Sequence, residues 1–253
     1  MINVVSITGS YRGKKSLSSY CVDRVIETLR TAFKTSLTSS QFDPKKNLIS
    51  DCVGATTCFR RGKCSIRDDM ELIKKKMEEA DIIIFSAPVY AHGIPGVMKT
   101  FFDRIAHWTH LFHLRGKLCI ILSISDTNGN NYVSMELQRY AEYLGMVVVG
   151  SIEIKTGILS NEGIDSILRK KVSDIVTRIK NKNWSVSQNQ EESFHSFKKV
   201  YLEGLGGSEA EHNYWRSNLC YFNTYSDAFN NQYNLDKNVP MEQPFSLEHF
   251  LSE

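Results

Sequence analysis

Hydrophobic and polar positions along the chain follow two periods. Short continuous apolar runs, rich in β-branched residues, occupy Ile2 to Thr8, Ile82 to Phe85, Lys117 to Ser125 and Met146 to Ile154. They are too short for buried helices and read as parallel strands covered on both faces. Between them, apolar residues recur three or four apart. Leu17, Cys21, Val25, Leu29 and Phe33 predict a helix over 17–33, and Met70, Ile73 and Met77 predict one over 69–80. Two more are predicted over 132–144 and 161–182, the second with Ile164, Leu168, Val172, Ile175 and Ile179 on one face. Ser86, Ala87 and Pro88 are read as ending the Ile82 strand. Pro95 then suits the first turn of a helix with Val97, Phe101, Ile105 and Trp108 along one side. The second strand is poorly marked and is placed at Asn47 to Ser50. The repeated βα unit predicts an α/β fold, a doubly wound five-stranded parallel sheet in the order 2-1-3-4-5.

Beyond Trp184 the pattern changes. Phe194, Phe197, Tyr201, Leu202 and Leu205 space as one helix, ended by Gly206 and Gly207. Ser208 with Glu211 makes a capping box, and Trp215, Leu219, Phe222 and Phe229 give the next face. Phe245 and Phe250 are read as anchors in an irregular end. From Trp184 onward four Lys/Arg face ten Asp/Glu, in a chain whose net charge is +3, so the preceding body is basic. The same stretch holds 13 of the Trp, Tyr and Phe residues. A solvated linker does not concentrate aromatics in this way. Residues 1–183 are therefore read as one domain and 184–253 as a mainly helical extension that folds onto the body or onto a partner subunit.

A chain of 253 residues can bury a sizeable core, and a net charge of +3 is too small to argue for nucleic acid. No apolar run approaches the roughly 18 residues of a membrane span and no secretory pattern opens the chain, so no membrane and a cytoplasmic location are expected. Of six cysteines, Cys21, Cys119 and Cys220 stand in apolar or aromatic contexts and read as packing residues. Cys52, Cys58 and Cys64 cluster. A disulfide framework is not expected in a reducing compartment, so the cluster points to metal or redox chemistry.

Three turns fall after strands, at the sheet edge where open α/β folds bind ligands: Ser10–Ser18, Pro88–Gly93 and Ser125–Asn131. The first is small, polar and basic and leads into a helix, the geometry that holds a phosphate. It is neither a Walker A loop nor a GxGxxG fingerprint, which argues against an NTPase and a Rossmann domain. Pro88 and Pro95 restrict the second turn, so its amides can be fixed before a ligand arrives. The third is rich in Asn, Gly and Thr, which suit turns and polar ligand edges.

Three motifs in this order resemble the flavodoxin-like NAD(P)H-dependent FMN reductase family, including its iron–sulfur flavoprotein branch. They are Gly9-Ser10-Tyr11-Arg12 with Ser16, Cys52–Cys58–Gly62–Cys64 leading to Asp68-Asp69-Met70, and Ser86-Ala87-Pro88-Val89-Tyr90 followed by Pro95-Gly96 and Asp103-Arg104. The resemblance covers roughly residues 1 to 180 and implies non-covalent FMN. Ser10, Arg12, Ser16, Leu17 and Ser18 would line its phosphate. Pro88, Val89, Tyr90, Ala91, His92 and Gly93 would lie along the isoalloxazine, with Ser125, Asp126 and Thr127 closing the other edge. Tyr90 and His92 would touch the substrate side. NAD(P)H would be the reductant, and a quinone, a nitro or azo compound, or a flavin the small-molecule acceptor. A homodimer or homotetramer is expected, its aromatic tail crossing the interface or lidding the flavin.

The cluster-binding branch has four cysteines. Here Cys52, Cys58 and Cys64 fit, but Ala55 holds the second position. A four-iron cluster normally takes four thiolates, so an iron–sulfur cluster is not expected. An electron-transfer or redox-sensing flavoprotein stays open as the alternative, as does a scaffold that kept the fold without the cofactor. A zinc site lacks a nearby histidine unless His92 approaches. His107, His110 and His113 read as a helical interface near Trp108 rather than a metal face. Asp68-Asp69 reads as a helix cap, Asp103-Arg104 as an ion pair or loop brace, and Lys74-Lys75-Lys76 as a solvated face.

Overall fold

The computed structural model describes residues 1–33 and 36–233. Strands β1 (Ile2–Thr8), β2 (Leu37–Phe42), β3 (Ile82–Pro88), β4 (Leu118–Ser125) and β5 (Val147–Lys155) form one parallel sheet in the order 2-1-3-4-5. Helices α1 (Leu17–Phe33) and α6 (Asn161–Lys180) cover one face; α3 (Met70–Glu79), α4 (Gly96–Arg104) and α5 (Asn130–Tyr143) cover the other. A short helix, α2 (Thr57–Arg61), lies in the cysteine segment. Both faces of the central strands are buried: Ile82 and Ile84 pack under α1, Ile83 and Phe85 under α4. This is why these strands have no polar alternation.

The predicted second strand is displaced. β2 has the sequence LTSSQF, in which only Phe42 is buried, because it is an edge strand half in water. Residues 47–50 join no ladder. Leu48 N–H donates to Asp69 Oδ2 (2.9 Å) and Ser50 N–H to Asp68 Oδ2 (2.8 Å). Ser86, Ala87 and Pro88 do not end β3. They pair with β4 as far as Pro88 opposite Ile124, while β1 stops at Thr8 opposite Ser86. Pro88 thus sits where only one neighbour still pairs, a position that tolerates its missing N–H. Pro95, at ψ 146°, precedes α4 as its cap rather than opening its first turn.

Three polar readings also change. Asp103 and Arg104 do not pair with each other. Asp103 pairs with Lys99, whereas Arg104 pairs with Asp68 and donates to Ser50 O (2.7 Å), a loop brace with both side chains buried. Lys74 is not solvated: it is 7% exposed, with its ammonium 5.9 Å from the Trp108 ring centroid. Asp69 precedes α3 without a side-chain cap bond. His110 bonds to Glu211 (2.8 Å) and His113 to Glu78 (2.8 Å), and Trp108 stacks on His113 at 4.4 Å, so these histidines are indeed interface groups.

In the extension, α7 (Gln188–Glu203) ends at left-handed Gly204, ahead of Gly206 and Gly207. The Ser208–Glu211 capping box opens α8 (Glu209–Asn218). The Trp215 face does not run on to Phe229. Thr224 caps a separate helix, α9 (Tyr225–Gln232). Phe245 and Phe250 lie outside the described residues. The three helices close over Phe112, whose ring is 4.6 Å from Tyr225 and 6.1 Å from Phe194. Tyr225 OH donates to Gly145 O (2.6 Å), Gln190 Nε2 to Met146 O (3.0 Å) and Trp215 Nε1 to His110 O (3.0 Å). These anchors precede β4 and β5, at the amino ends of the strands. The described extension therefore packs on its own body, away from the carboxyl-edge loops of the same chain, and does not lid them.

Candidate functional site

The first loop is shaped by its small residues. Gly9 N–H donates to Ser86 O (2.8 Å), which ties the end of β1 to β3. Gly13, at φ +55°, turns the chain. Ser19 Oγ donates to Gly13 O (2.9 Å), and Ser16 Oγ accepts from Ser19 N–H (3.1 Å), capping α1. The hydroxyl of Ser16 is thus engaged within the loop. The N–H groups of Leu17 and Ser18, in the first turn of α1, have no intrahelical acceptor and sit at the positive end of the helix dipole. Ser10 is 3% exposed, and its Oγ accepts from Arg12 N–H (3.4 Å). The Arg12 guanidinium is exposed and makes no hydrogen bond among the described residues. Free amides, a helix N-terminus and an unspent guanidinium suit a phosphate group.

In the second loop, Tyr90 and Gly93 exchange two backbone hydrogen bonds (3.0 and 2.9 Å), closing a two-residue turn. Its corners, Ala91 (φ +48°) and His92 (φ +61°), both lie in the left-handed region, which costs a non-glycine residue conformational energy. Val89 N–H donates to Ile124 O (2.8 Å), extending the ladder to the turn, and Tyr90 is 52% exposed.

The third loop is held by Asn130, a residue the sequence reading left without a role. Ser125 Oγ donates to Asn130 Oδ1 (2.5 Å), and Asn130 Nδ2 donates to Ser123 O (2.9 Å) and Ile154 O (3.1 Å). Ser125 therefore points its hydroxyl into this brace. Asp126 and Thr127 are exposed. Asp126 O accepts from Gly157 N–H (2.8 Å).

The second and third loops abut, and Gly9, just ahead of the first, packs against the start of α4. A β-carbon on Gly9 would come within 3.3 Å of Met98 Cβ and 3.5 Å of Pro95 Cγ; one on Gly129 would come within 2.7 Å of Val89 Cγ1. His92 meets Tyr132 edge-on at 5.9 Å. Below Tyr132 a cavity of about 480 Å³ runs between α5 and α7, lined by Met135, Arg139, Tyr143 and Asn189 among others. These groups fit the requirements of FMN: amides of the first turn of α1 and a cation for a phosphate, and a stiff turn for the edge of a flat ring.

The cysteine segment carries three thiols. Ala55 stands where a fourth thiol is needed, and among the described residues no three His, Cys, Asp or Glu are placed to bind a metal ion. Cys52 is exposed, and Cys58 and Cys64 are half-buried. Burial pushes the Cys58 thiol up from its ordinary value, and the charges of Cys64 and Cys52 add to this.

Known proteins agree with this geometry. An iron–sulfur flavoprotein of Archaeoglobus fulgidus is 31% identical over 184 residues, 70% of this chain and 79% of its own length. An FMN-dependent NADH:quinone oxidoreductase 2 of Colwellia psychrerythraea is 24% identical over 160 residues, 52% of this chain and 72% of its own. The structure of RosB with bound 8-demethyl-8-formylriboflavin-5'-phosphate superposes with a TM-score of 0.56 at 12% identity, covering 98% of this chain and 97% of that one. An FMN-dependent NADH-azoreductase from Bacillus anthracis in complex with FMN gives 0.53 at 13% identity, covering 71% and 99%. At such identities the two structures establish the flavodoxin-like fold. Among the described residues no helix is long and apolar enough to cross a membrane. The model of the NADPH-dependent FMN reductases matches residues 2–157, which takes in all three loops and the whole sheet, and on that match the chain belongs to this family of flavin-dependent oxidoreductases.

Proposed function

We propose that the protein is an NAD(P)H-dependent oxidoreductase that holds FMN at the three carboxyl-edge loops and reduces a quinone, a nitro or azo compound, or a free flavin. The observation that carries this reading is that β1 and β3 are paired neighbours, the one leading to the α1 amides and Arg12 and the other to the strained Ala91–His92 turn. FMN supplies, when bound, the hydride-accepting and electron-donating chemistry. The chain's part is to bind and orient. The Leu17 and Ser18 amides, Arg12, Ser10 and Ser18 grip the phosphate, and Ser16 keeps α1 capped. Pro88, Val89 and Gly93 flank the ring, the amides of Ala91 and His92 face its polar edge, and Asp126 and Thr127 close the far side, held there by Ser125 and Asn130. The exposed Tyr90 ring and His92 border the space open to substrate, and no protein acid or base is required for the transfer.

A cytoplasmic homodimer or homotetramer is the assembly and setting proposed, in line with a fold whose α4 and α5 surfaces stay uncovered beside the loops. The test is the visible spectrum of purified protein, followed by anaerobic NADPH or NADH. Stoichiometric FMN whose absorbance bleaches on addition and returns with a quinone supports the reading. Protein that is colourless and takes up no FMN overturns it.

A further inference from the structure

Building on the FMN reading above, we infer that the cavity between α5 and α7 holds the apolar tail of an uncharged quinone whose ring is reduced at the flavin. The cavity begins beside the second loop. Tyr132 and Glu136, one turn apart on α5, both line it. The Tyr132 ring meets His92 at 5.9 Å, and Glu136 Oε2 accepts from Ile94 N–H (3.4 Å). The same carboxylate oxygen would lie 3.9 Å from a β-carbon on Gly93. An acceptor bordered by Tyr90 and His92 therefore meets the mouth of this cavity. Its volume, about 480 Å³, is that of a small-molecule site.

The wall is apolar where a solvated helix would be polar. Tyr132, Met135 and Tyr143 of α5 line the cavity and are exposed, Met135 by 68%. Large apolar side chains gathered at one exposed place mark a binding groove. At the α7 side Gln190 is fully engaged: its Nε2 donates to Glu142 O (3.1 Å) and Met146 O (3.0 Å), and its Oε1 accepts from Ser187 N–H (3.1 Å). It offers nothing to a polar ligand. Charge then selects among the candidate acceptors. Two carboxylates, Glu136 and Glu142, line the cavity against one guanidinium, Arg139, so its net charge is negative. An anionic acceptor, such as a sulfonated azo dye or flavin mononucleotide, is repelled. A small nitro compound gains little from the apolar wall. An uncharged quinone with an isoprenoid tail suits both features, its ring at the flavin and its tail out of water along Met135 and Tyr143.

The test supplies FMN-loaded protein with NADPH or NADH and compares menadione, menadione carrying a short isoprenoid tail, and a naphthoquinone sulfonate as acceptors. The expected result is a KM for the tailed quinone lower than that for menadione by on the order of tenfold, with kcat alike, and a KM for the sulfonate above menadione's. M135D changes an exposed position and should remove the advantage of the tail while leaving menadione reduction as it was; a merely structural role for Met135 would move both. FMN-loaded protein with equal constants for the tailed quinone and menadione, or with a preference that M135D leaves intact, would overturn the proposal. A native oligomer that M135D splits into monomers would show a second copy of the chain in the cavity and would overturn it too. Protein that takes up no FMN would fail the oxidoreductase reading itself, and the proposal with it.

Discussion

Gly129 and His92 meet with no room for a side chain between them: a β-carbon on Gly129 would stand 3.0 Å from His92 Nδ1 and 3.6 Å from its Cα. Gly129 also has φ +84°, a conformation other residues resist. This contact seats the third loop against the second. G129A should therefore strain the turn by about 1–3 kcal/mol and weaken FMN binding on the order of tenfold or more. Titration of apoprotein with FMN, followed by flavin fluorescence, checks it. Unchanged affinity would mean that the turn is set by its own two hydrogen bonds alone.

Arg12 is one of three exposed cations of the first loop, with Lys14 and Lys15, and its guanidinium makes no hydrogen bond among the described residues. R12M should cost about 1.5–3 kcal/mol of FMN binding, on the order of 10- to 100-fold in Kd, if it contacts the phosphate. Riboflavin, which lacks the phosphate, should bind the variant and the native protein equally. A parallel loss for both flavins would show that Arg12 supports the loop rather than the phosphate.

Two buried groups give acid sensitivity in overlapping windows. Burial, and after it the charge of Lys74, hold the His107 imidazole down to about 3. Its folded value lies below its unfolded one, so the folded state binds fewer protons and stability falls as pH drops from about 6.5 towards 3. Burial pushes the Glu211 carboxyl up, but hydrogen bonds from His110 and Ser208 outweigh it and hold the group down to about 2. That contribution is complete above about 4.5 and is lost as pH falls towards 2. Urea midpoints measured from pH 7 to pH 3 should decline less throughout the fall from about 6.5 to 3 in H107F, and less only below about 4.5 in E211Q. Identical profiles in all three proteins would remove both groups from the account.

Gly150 marks a close approach of helix to sheet. A β-carbon there would lie 2.4 Å from Ile175 Cγ1 on α6, beside the irregular register of β4 and β5. G150A should destabilise by about 1–3 kcal/mol, as overpacked cores do. G150A with I175V should recover part of the loss, read as non-additivity in urea denaturation.

What could be read from the sequence, and what could not, follows from how local each feature is. β1, β3 and β4 were legible because burial on both faces leaves continuous apolar runs. β2 was not, because an edge strand with Thr38, Ser39 and Ser40 outward carries no such signal. The turns at Ser10, Pro88 and Ser125 announced themselves through Gly, Pro and Ser. Asn130 did not, since its partner Ile154 O lies 24 residues away. Gly129 was visible only as a turn residue, not as the point where two loops touch. Arg104 was read as a brace, but its partner Asp68 lies 36 residues upstream and could not be named.

Helix α5 reaches both ends of the molecule. At its start Tyr132 touches His92; near its end Glu142 O accepts from Gln190 Nε2 of the extension (3.1 Å). Fourteen residues of helix span about 20 Å. The aromatic helices and the Ala91–His92 turn thus touch opposite tips of one stiff rod.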